Sequence, residues 1–113
     1  MEDAPLTPLE FHTLLALADQ DRHGYAIIKE ILRESGGRLR PGTGSLYTAI
    51  QRMSSQGLIE ESSERPEEEQ DDQRRRYYRL TGLGRSVAAA EVKRLDALVS
   101  AARPWALEIE GPA

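Results

Sequence analysis

The sequence has no cysteine among its 113 residues, which excludes disulfide bonds and metal sites built on thiolates. No apolar run approaches the length of a membrane span. The acidic N-terminus, MEDAPLTPLE, also lacks the apolar segment of a signal peptide. These absences predict a cytoplasmic protein with no membrane partner.

The signatures of catalysis are missing as well. The sequence contains no nucleophile elbow, no phosphate-binding loop and no paired carboxylates in an apolar setting. Its two histidines, His12 and His23, have no companions at the spacing of metal ligands. We therefore expect a protein that is not an enzyme and that holds no cofactor or metal.

The charges of the chain are unevenly distributed. The net charge of −4 argues mildly against a polyanionic partner, but residues 64–72 hold six acids and one base. Three consecutive arginines, Arg74, Arg75 and Arg76, follow after Gln73. Because local charge decides where a phosphate backbone can dock, these arginines are candidate DNA contacts. Neutralisation of the adjacent acids is the alternative role, and the acidic segment could mask the arginines in the absence of DNA.

Capping signals, among them a capping box at Thr7 and Glu10 and a helix stop at Gly57, combine with apolar periodicity to predict a mainly α fold with a small β-hairpin. Asp19 to Arg22 is predicted to be a polar turn. The predicted helices lie near residues 8–18, 23–34, 43–56 and 81–103, and the predicted strands near 58–62 and 76–80. Three short helices, a hairpin and a long helix follow the order of a winged helix-turn-helix. We expect a DNA-binding domain over 1–80, a C-terminal dimerisation helix over 81–104, ended by Pro104, and a short tail over 105–113.

The third predicted helix has two different faces. Leu46, Ile50 and Met53 form an apolar stripe, whereas the opposite positions carry small hydroxyls, an amide and a guanidinium. Such side chains bind phosphates and base edges in the major groove, although a plain surface helix is the alternative. The candidate DNA contacts on this helix are Thr43, Ser45, Tyr47, Thr48, Gln51 and Arg52.

Two of these candidates, Gln51 and Arg52, are the leading base readers, since Gln pairs with adenine and Arg with guanine. A phosphate contact or a surface salt bridge is the alternative for Arg52. Tyr47 is either a hydroxyl donor to phosphate or a half-buried core residue. Thr43, Ser45 and Thr48 lie where a helix start favours a phosphate, with simple capping as the alternative.

The last predicted helix carries a heptad seam suited to a second helix. The seam residues are Ala88, Val92, Leu95, Val99 and Ala102. Since the chain offers no partner helix of matching length, the seam predicts a homodimer. Trp105 either lines a pocket for a flat effector or packs against the first helix or the partner's last helix.

Several segments of the chain resemble the PadR family of bacterial transcriptional regulators. The resemblance covers about Leu6 to Arg85 and rests on four marks in order: His23-Gly24-Tyr25, Gly44-Ser45-Leu46-Tyr47, Gly57-Leu58-Ile59 and Tyr77-Tyr78-Arg79-Leu80-Thr81. It implies a winged-helix homodimer that binds a palindromic operator, usually as a repressor, and that a small molecule can release. Thr48 departs from the family, whose members often carry proline there. A winged helix that binds another protein instead of DNA is the alternative.

Overall fold

The computed structural model describes residues 6–63 and 75–110. It contains the helices and strands α1 (Pro8–Ala16), β1 (Arg22–His23), α2 (Gly24–Glu34), α3 (Thr43–Ser55), β2 (Ile59–Ser62), β3 (Tyr77–Leu80) and α4 (Gly82–Glu110). The predicted fold class, a mainly helical winged helix with a small β element, is confirmed. Arg74 and the acidic segment 64–72 lie outside the described residues, so their predicted roles stay predictions.

The helix boundaries follow from local chemistry. Thr7 and Glu10 form the predicted capping box: Thr7 Oγ1 accepts from Glu10 N at 3.1 Å, and Glu10 Oε1 accepts from Thr7 N at 3.0 Å. His23 caps α2 through Nδ1, which accepts from Ala26 N at 3.2 Å. Gly57 follows α3 with a φ of 80°, a left-handed conformation that glycine adopts without strain.

The β element is a three-stranded antiparallel sheet in the order β1-β3-β2, not the predicted two-stranded hairpin. Its third strand, β1, is a segment that the sequence assigned to a turn and to the start of α2. Arg22 pairs with Tyr78 and His23 pairs with Tyr77. The Arg22 side chain also donates from Nε to the carbonyl of Ala16 at 2.6 Å, which ties the strand to the end of α1. A strand of two residues is too short to show an alternation of apolar and polar side chains. Its strand conformation is recognised only from its pairing with β3.

The core lies where the three short helices meet the sheet. The predicted stripe of α3, Leu46, Ile50 and Met53, is buried against Leu14 of α1 and Ile27 of α2 within one cluster. Each such aliphatic side chain contributes about 1.5–3 kcal/mol by leaving water. Burial of this stripe fixes the rotation of α3, so its polar face must point to solvent.

Helix α4 begins as predicted but ends later. Thr81 Oγ1 accepts from Gly84 N at 2.9 Å, which caps the helix start. The helix then continues through Pro104 to Glu110, so the predicted end near Arg103 is wrong. The fixed φ of proline fits a helix, and on an exposed turn the carbonyl that loses its partner can be hydrated. Among the described residues, even this 29-residue helix lacks the apolar stretch that a membrane crossing requires.

Candidate nucleic-acid interface

The polar face of α3 is fully presented to solvent. Its buried positions are Leu46, Ala49, Ile50 and Met53. The predicted DNA-contacting side chains of the helix are all exposed: Thr43, Ser45, Tyr47, Thr48, Gln51 and Arg52. The helix therefore offers hydroxyls, an amide and a guanidinium at one surface, as the sequence predicted.

Gln51 and Arg52 point to different sides of the polar face of α3, because consecutive helical residues project about 100° apart. Gln51 lines a cleft toward the sheet. Arg52 points toward α1, where its Nε lies 3.3 Å from Glu10 Oε2. The Glu10 side chain is 10% exposed and that of Arg52 is 51% exposed. The salt-bridge alternative for Arg52 is thus present in this structure, on a side chain that still has room to move.

Tyr47 is anchored on the first turn of α2. Its ring passes so close to Gly24 that a Cβ at that glycine would lie 2.2 Å from the tyrosine Oη. The side chain is nonetheless 42% exposed, so it is neither core nor free surface. The glycine of the His23-Gly24-Tyr25 segment therefore has a packing reason: it makes room for Tyr47.

The arginines before β3 lie beside the start of α2. Arg75 Nη1 is 3.1 Å from His23 Nε2, and both Arg75 and Arg76 are exposed. Further along β3, Arg79 Nε donates to Glu60 Oε2 on β2 at 2.9 Å. This cross-strand pair stabilises the two strands and separates Arg79 in role from the two arginines at the cleft.

Two adjoining clefts separate α3 from the sheet, and both are lined by Tyr47, Arg76 and Tyr78. The first, of about 330 Å³, extends to His23, Tyr25 and Arg75, and we call it the α2 cleft. The second, of about 530 Å³, extends to Gln51, Ser54, Glu60 and Glu61, and we call it the β2 cleft.

The two clefts differ in charge. Among the described residues, the lining of the α2 cleft includes two guanidiniums and no carboxylate, whereas the β2 cleft is lined by two carboxylates and the Arg76 guanidinium. Burial raises the pKa of the Tyr78 phenol between them, and the nearby Tyr47 and Glu61 raise it further. A phosphate backbone is therefore favoured at the α2 cleft and disfavoured at the β2 cleft.

Sequence reasoning missed four side chains of these clefts: Tyr25, Ser54, Glu60 and Glu61. Tyr25, which shares a helix with the core residues Ile27 and Ile31, is 61% exposed and lines the α2 cleft. Glu60 and Glu61 were read only as strand residues, yet both line the β2 cleft. The burial of β2 does not alternate, since the adjacent Glu60 and Glu61 are both exposed between the buried Ile59 and Ser62, so a period of two could not single them out.

The predicted dimerisation seam changes character along α4. Ala88 is partly buried against the core and Leu95 is half-buried, whereas Val92 and Val99 are each 50% exposed and Ala102 is exposed. Trp105 is 67% exposed and is not among the residues that line the two clefts. The outer residues of the seam, Val92 and Val99, therefore expose apolar surface to solvent.

Comparison with known proteins identifies similar sequences and folds. The sequence model of the transcriptional regulator PadR-like family matches residues 13–90. An uncharacterised 37.1 kDa protein of transposon Tn4556 from Streptomyces fradiae is 46% identical over 52 residues. That match covers 46% of this chain and only 14% of the relative, so it spans a small part of the relative's length.

Several solved structures share the fold. A PadR family transcription regulator from Clostridium difficile R20291 matches with a TM-score of 0.72 and 25% identity, over 88% of this chain and 98% of that chain. Bacillus subtilis PadR in complex with operator DNA matches with a TM-score of 0.63 and 17% identity, over 76% of this chain and 47% of that chain. At this identity the second match shows the fold alone.

Proposed function

The chain belongs to the transcriptional regulator PadR-like family, and from this premise we propose that it binds a palindromic operator as a homodimer and represses transcription. The observation that carries the proposal is the exposed polar face of α3, with the two arginines that precede β3 beside it. A helix of this kind enters the major groove, while flanking cations contact the backbone.

Within each half-site the residues divide by chemistry. Gln51 faces outward beside the β2 cleft, where its amide can pair with an adenine edge. Arg52 reads guanine only after it leaves Glu10, so its base contact competes with the 3.3 Å ion pair. Arg75 and Arg76 contact phosphates. Thr43 and Ser45 lie in the first turn of α3, where amides and the helix dipole favour an anion.

The dimer forms through the outward part of α4. Val92, Val99 and Trp105 expose apolar surface that a second copy of the helix would cover. A two-fold dimer presents two copies of α3, which read half-sites about 34–36 Å apart. We also propose that binding of a small molecule releases the protein from its operator. The exposed Trp105 would line the pocket for this effector.

Footprinting tests the function directly. We expect the protein to protect two symmetric grooves of an inverted repeat, beginning with the DNA upstream of its own gene. Binding should weaken steeply as salt rises, because phosphate contacts release counterions. Binding without salt dependence, or no binding to any duplex, would instead favour the winged helix that recognises another protein.

A further inference from the structure

We propose that the loop between α2 and α3, residues 35–42, is a second anchor for the DNA backbone, in which Arg38 and Arg40 bind phosphates. We call this segment the α2–α3 loop. The inference rests on the proposed DNA-binding function and deepens it. It gives each subunit backbone contacts at both ends of α2, since the α2 cleft opens at the start of that helix and the loop follows its end.

The charge of this part of the chain is positive, although the whole chain carries −4. Residues 35–59 contain no acid and three arginines, Arg38, Arg40 and Arg52. Both loop arginines are exposed, and across residues 6–63 and 75–110 neither of them forms an ion pair. Local positive charge attracts a phosphate backbone, and here no ion pair has to break before a phosphate binds.

The α2–α3 loop is held in one shape by contacts that point inward. The Ser35 hydroxyl accepts from Leu39 N at 3.0 Å, and the Leu39 side chain packs against the core. Gly37 follows α2 with a φ of 82°, which turns the chain away from the helix axis. Because Leu39 is turned inward, its neighbours Arg38 and Arg40 are left at the surface. A loop that is already ordered loses less conformational entropy when it binds.

Arg40 is oriented by the loop itself. Its Nε donates to the carbonyl oxygen of Gly37 at 3.2 Å. A guanidinium bonded through Nε keeps the N–H groups of both Nη atoms, which form the fork that binds a phosphate at two oxygens. The contact with Gly37 therefore directs the side chain and leaves its phosphate-binding edge available. Arg38 supplies a second cation two residues away.

The two backbone anchors are separated by the length of α2. This helix has 11 residues, and a rise of about 1.5 Å per residue makes it roughly 16 Å long. The major groove of B-DNA is about 12 Å wide. Anchors at the two ends of α2 therefore fit the two backbones that border a major groove occupied by α3.

Salt dependence tests the loop arginines. Arg38→Ala and Arg40→Ala should each weaken binding roughly tenfold, equally on operator and scrambled duplex, since a charge-assisted hydrogen bond to phosphate is lost. In each variant the slope of log K against log salt should become shallower by about two, because each half-site of the dimer loses one contact. Arg40→Lys keeps the charge but not the fork, so it should keep the slope and lose only part of the affinity. Lys93→Ala, at an exposed position of α4 off the seam, is the control and should change neither quantity.

Modified operators locate the anchor. In a series of duplexes, an uncharged methylphosphonate replaces one phosphate at a time. Binding of the wild-type protein should weaken at two groups of positions in each half-site, one on each strand that borders the major groove. Arg40→Ala should be insensitive to replacement in one group, and Arg76→Ala should be insensitive in the other. Insensitivity of both variants at the same group would contradict an anchor on the second strand.

Wild-type affinity and salt slope in Arg38→Ala or Arg40→Ala would overturn the contact assigned to that residue. A loss of affinity with an unchanged slope would overturn it as well, because it would indicate altered folding and not a lost phosphate contact. If Arg76→Ala still weakens binding in these cases, DNA binding stands and only the loop anchor fails. If the wild-type chain binds no duplex, both proposals fail.

Discussion

The winged-helix body, residues 8–80, and the outer part of α4, residues 92–106, use apolar residues in opposite ways. In the body, Leu46, Met53 and Ile59 are fully buried by other elements of the same chain. In the outer part, Val92, Leu98, Val99 and Trp105 each expose half or more of their surface. Soluble chains seldom leave a row of large apolar side chains uncovered without a partner.

The change from buried to exposed apolar residues occurs within α4. Val87 and Ala88 pack against the core, and Glu91 is buried beside Arg94, whose Nη2 donates to Glu91 Oε2 at 2.6 Å. That guanidinium also lowers the pKa of the Glu91 carboxyl. From Val92 onward the protomer covers little of the helix. The body is thus stabilised by its own contacts, while the outer part of α4 leaves apolar surface that the proposed dimer would cover.

The largest effect should come from a charge on the seam. Leu95→Glu would place two like charges near the two-fold axis of the dimer, at a cost of about 3–5 kcal/mol. We expect sedimentation velocity to show monomers that keep the helical circular dichroism of the wild type. Ala90→Glu makes a similar change at an exposed position off the seam and should remain dimeric. A wild-type chain that is monomeric at tens of micromolar would show that a second chain does not cover the outer part of α4.

Truncation of a core side chain should destabilise the winged-helix body, not the proposed dimer. Leu46→Ala removes a fully buried side chain from α3 and should lower the free energy of unfolding by about 2–5 kcal/mol in urea titrations. Val92→Ala is the matched truncation on the outer part of α4. Its cost should appear only at concentrations where the dimer forms. Equal, concentration-independent losses for the two variants would mean that the protomer already buries both residues.

Gly24→Ala probes the join between α2 and α3 inside the body. The added methyl would meet the Tyr47 ring, and such overpacking costs roughly 1–3 kcal/mol. We expect a lower melting temperature and weaker DNA binding. Gly44→Ala is the control, because a Cβ there meets nothing within 4 Å. A destabilisation no greater than that of the control would show that Tyr47 moves aside freely.

The smallest effect on folding stability should come from the exposed arginines, whose substitution changes DNA binding instead. Arg52→Ala should cost ~1–3 kcal/mol per half-site and relax the preference at one base position. Arg75→Ala should weaken all sequences about equally and flatten the salt dependence. Titrations on operator and scrambled DNA at two salt concentrations separate these results. Both variants should remain dimeric, since neither residue lies on α4, and an equal loss on both DNAs for Arg52→Ala would reassign it to the backbone.

The parts of the fold that the sequence predicted are those decided by neighbouring residues. The capping box at Thr7, the glycine turn at Gly57 and the two faces of α3 all follow from side chains within a few positions. The strand β1 could not be found this way, because Arg22 and His23 become a strand only through β3. The ion pair of Arg52 with Glu10 could not be predicted from the sequence either, since Glu10 lies on another helix.

The strand pair β1–β3 also bears on how the protein folds. Its two registers join His23 to Tyr77 and Arg22 to Tyr78, residues 54 and 56 positions apart. Contacts of such separation form only after a long loop has closed, at an entropic cost that local helices do not incur. During synthesis, α1, α2 and α3 all leave the ribosome before β3 exists. The α2 cleft, which needs Arg75 and Arg76, is therefore completed late, and a nascent chain that stops short of β3 carries the reading helix without this cleft.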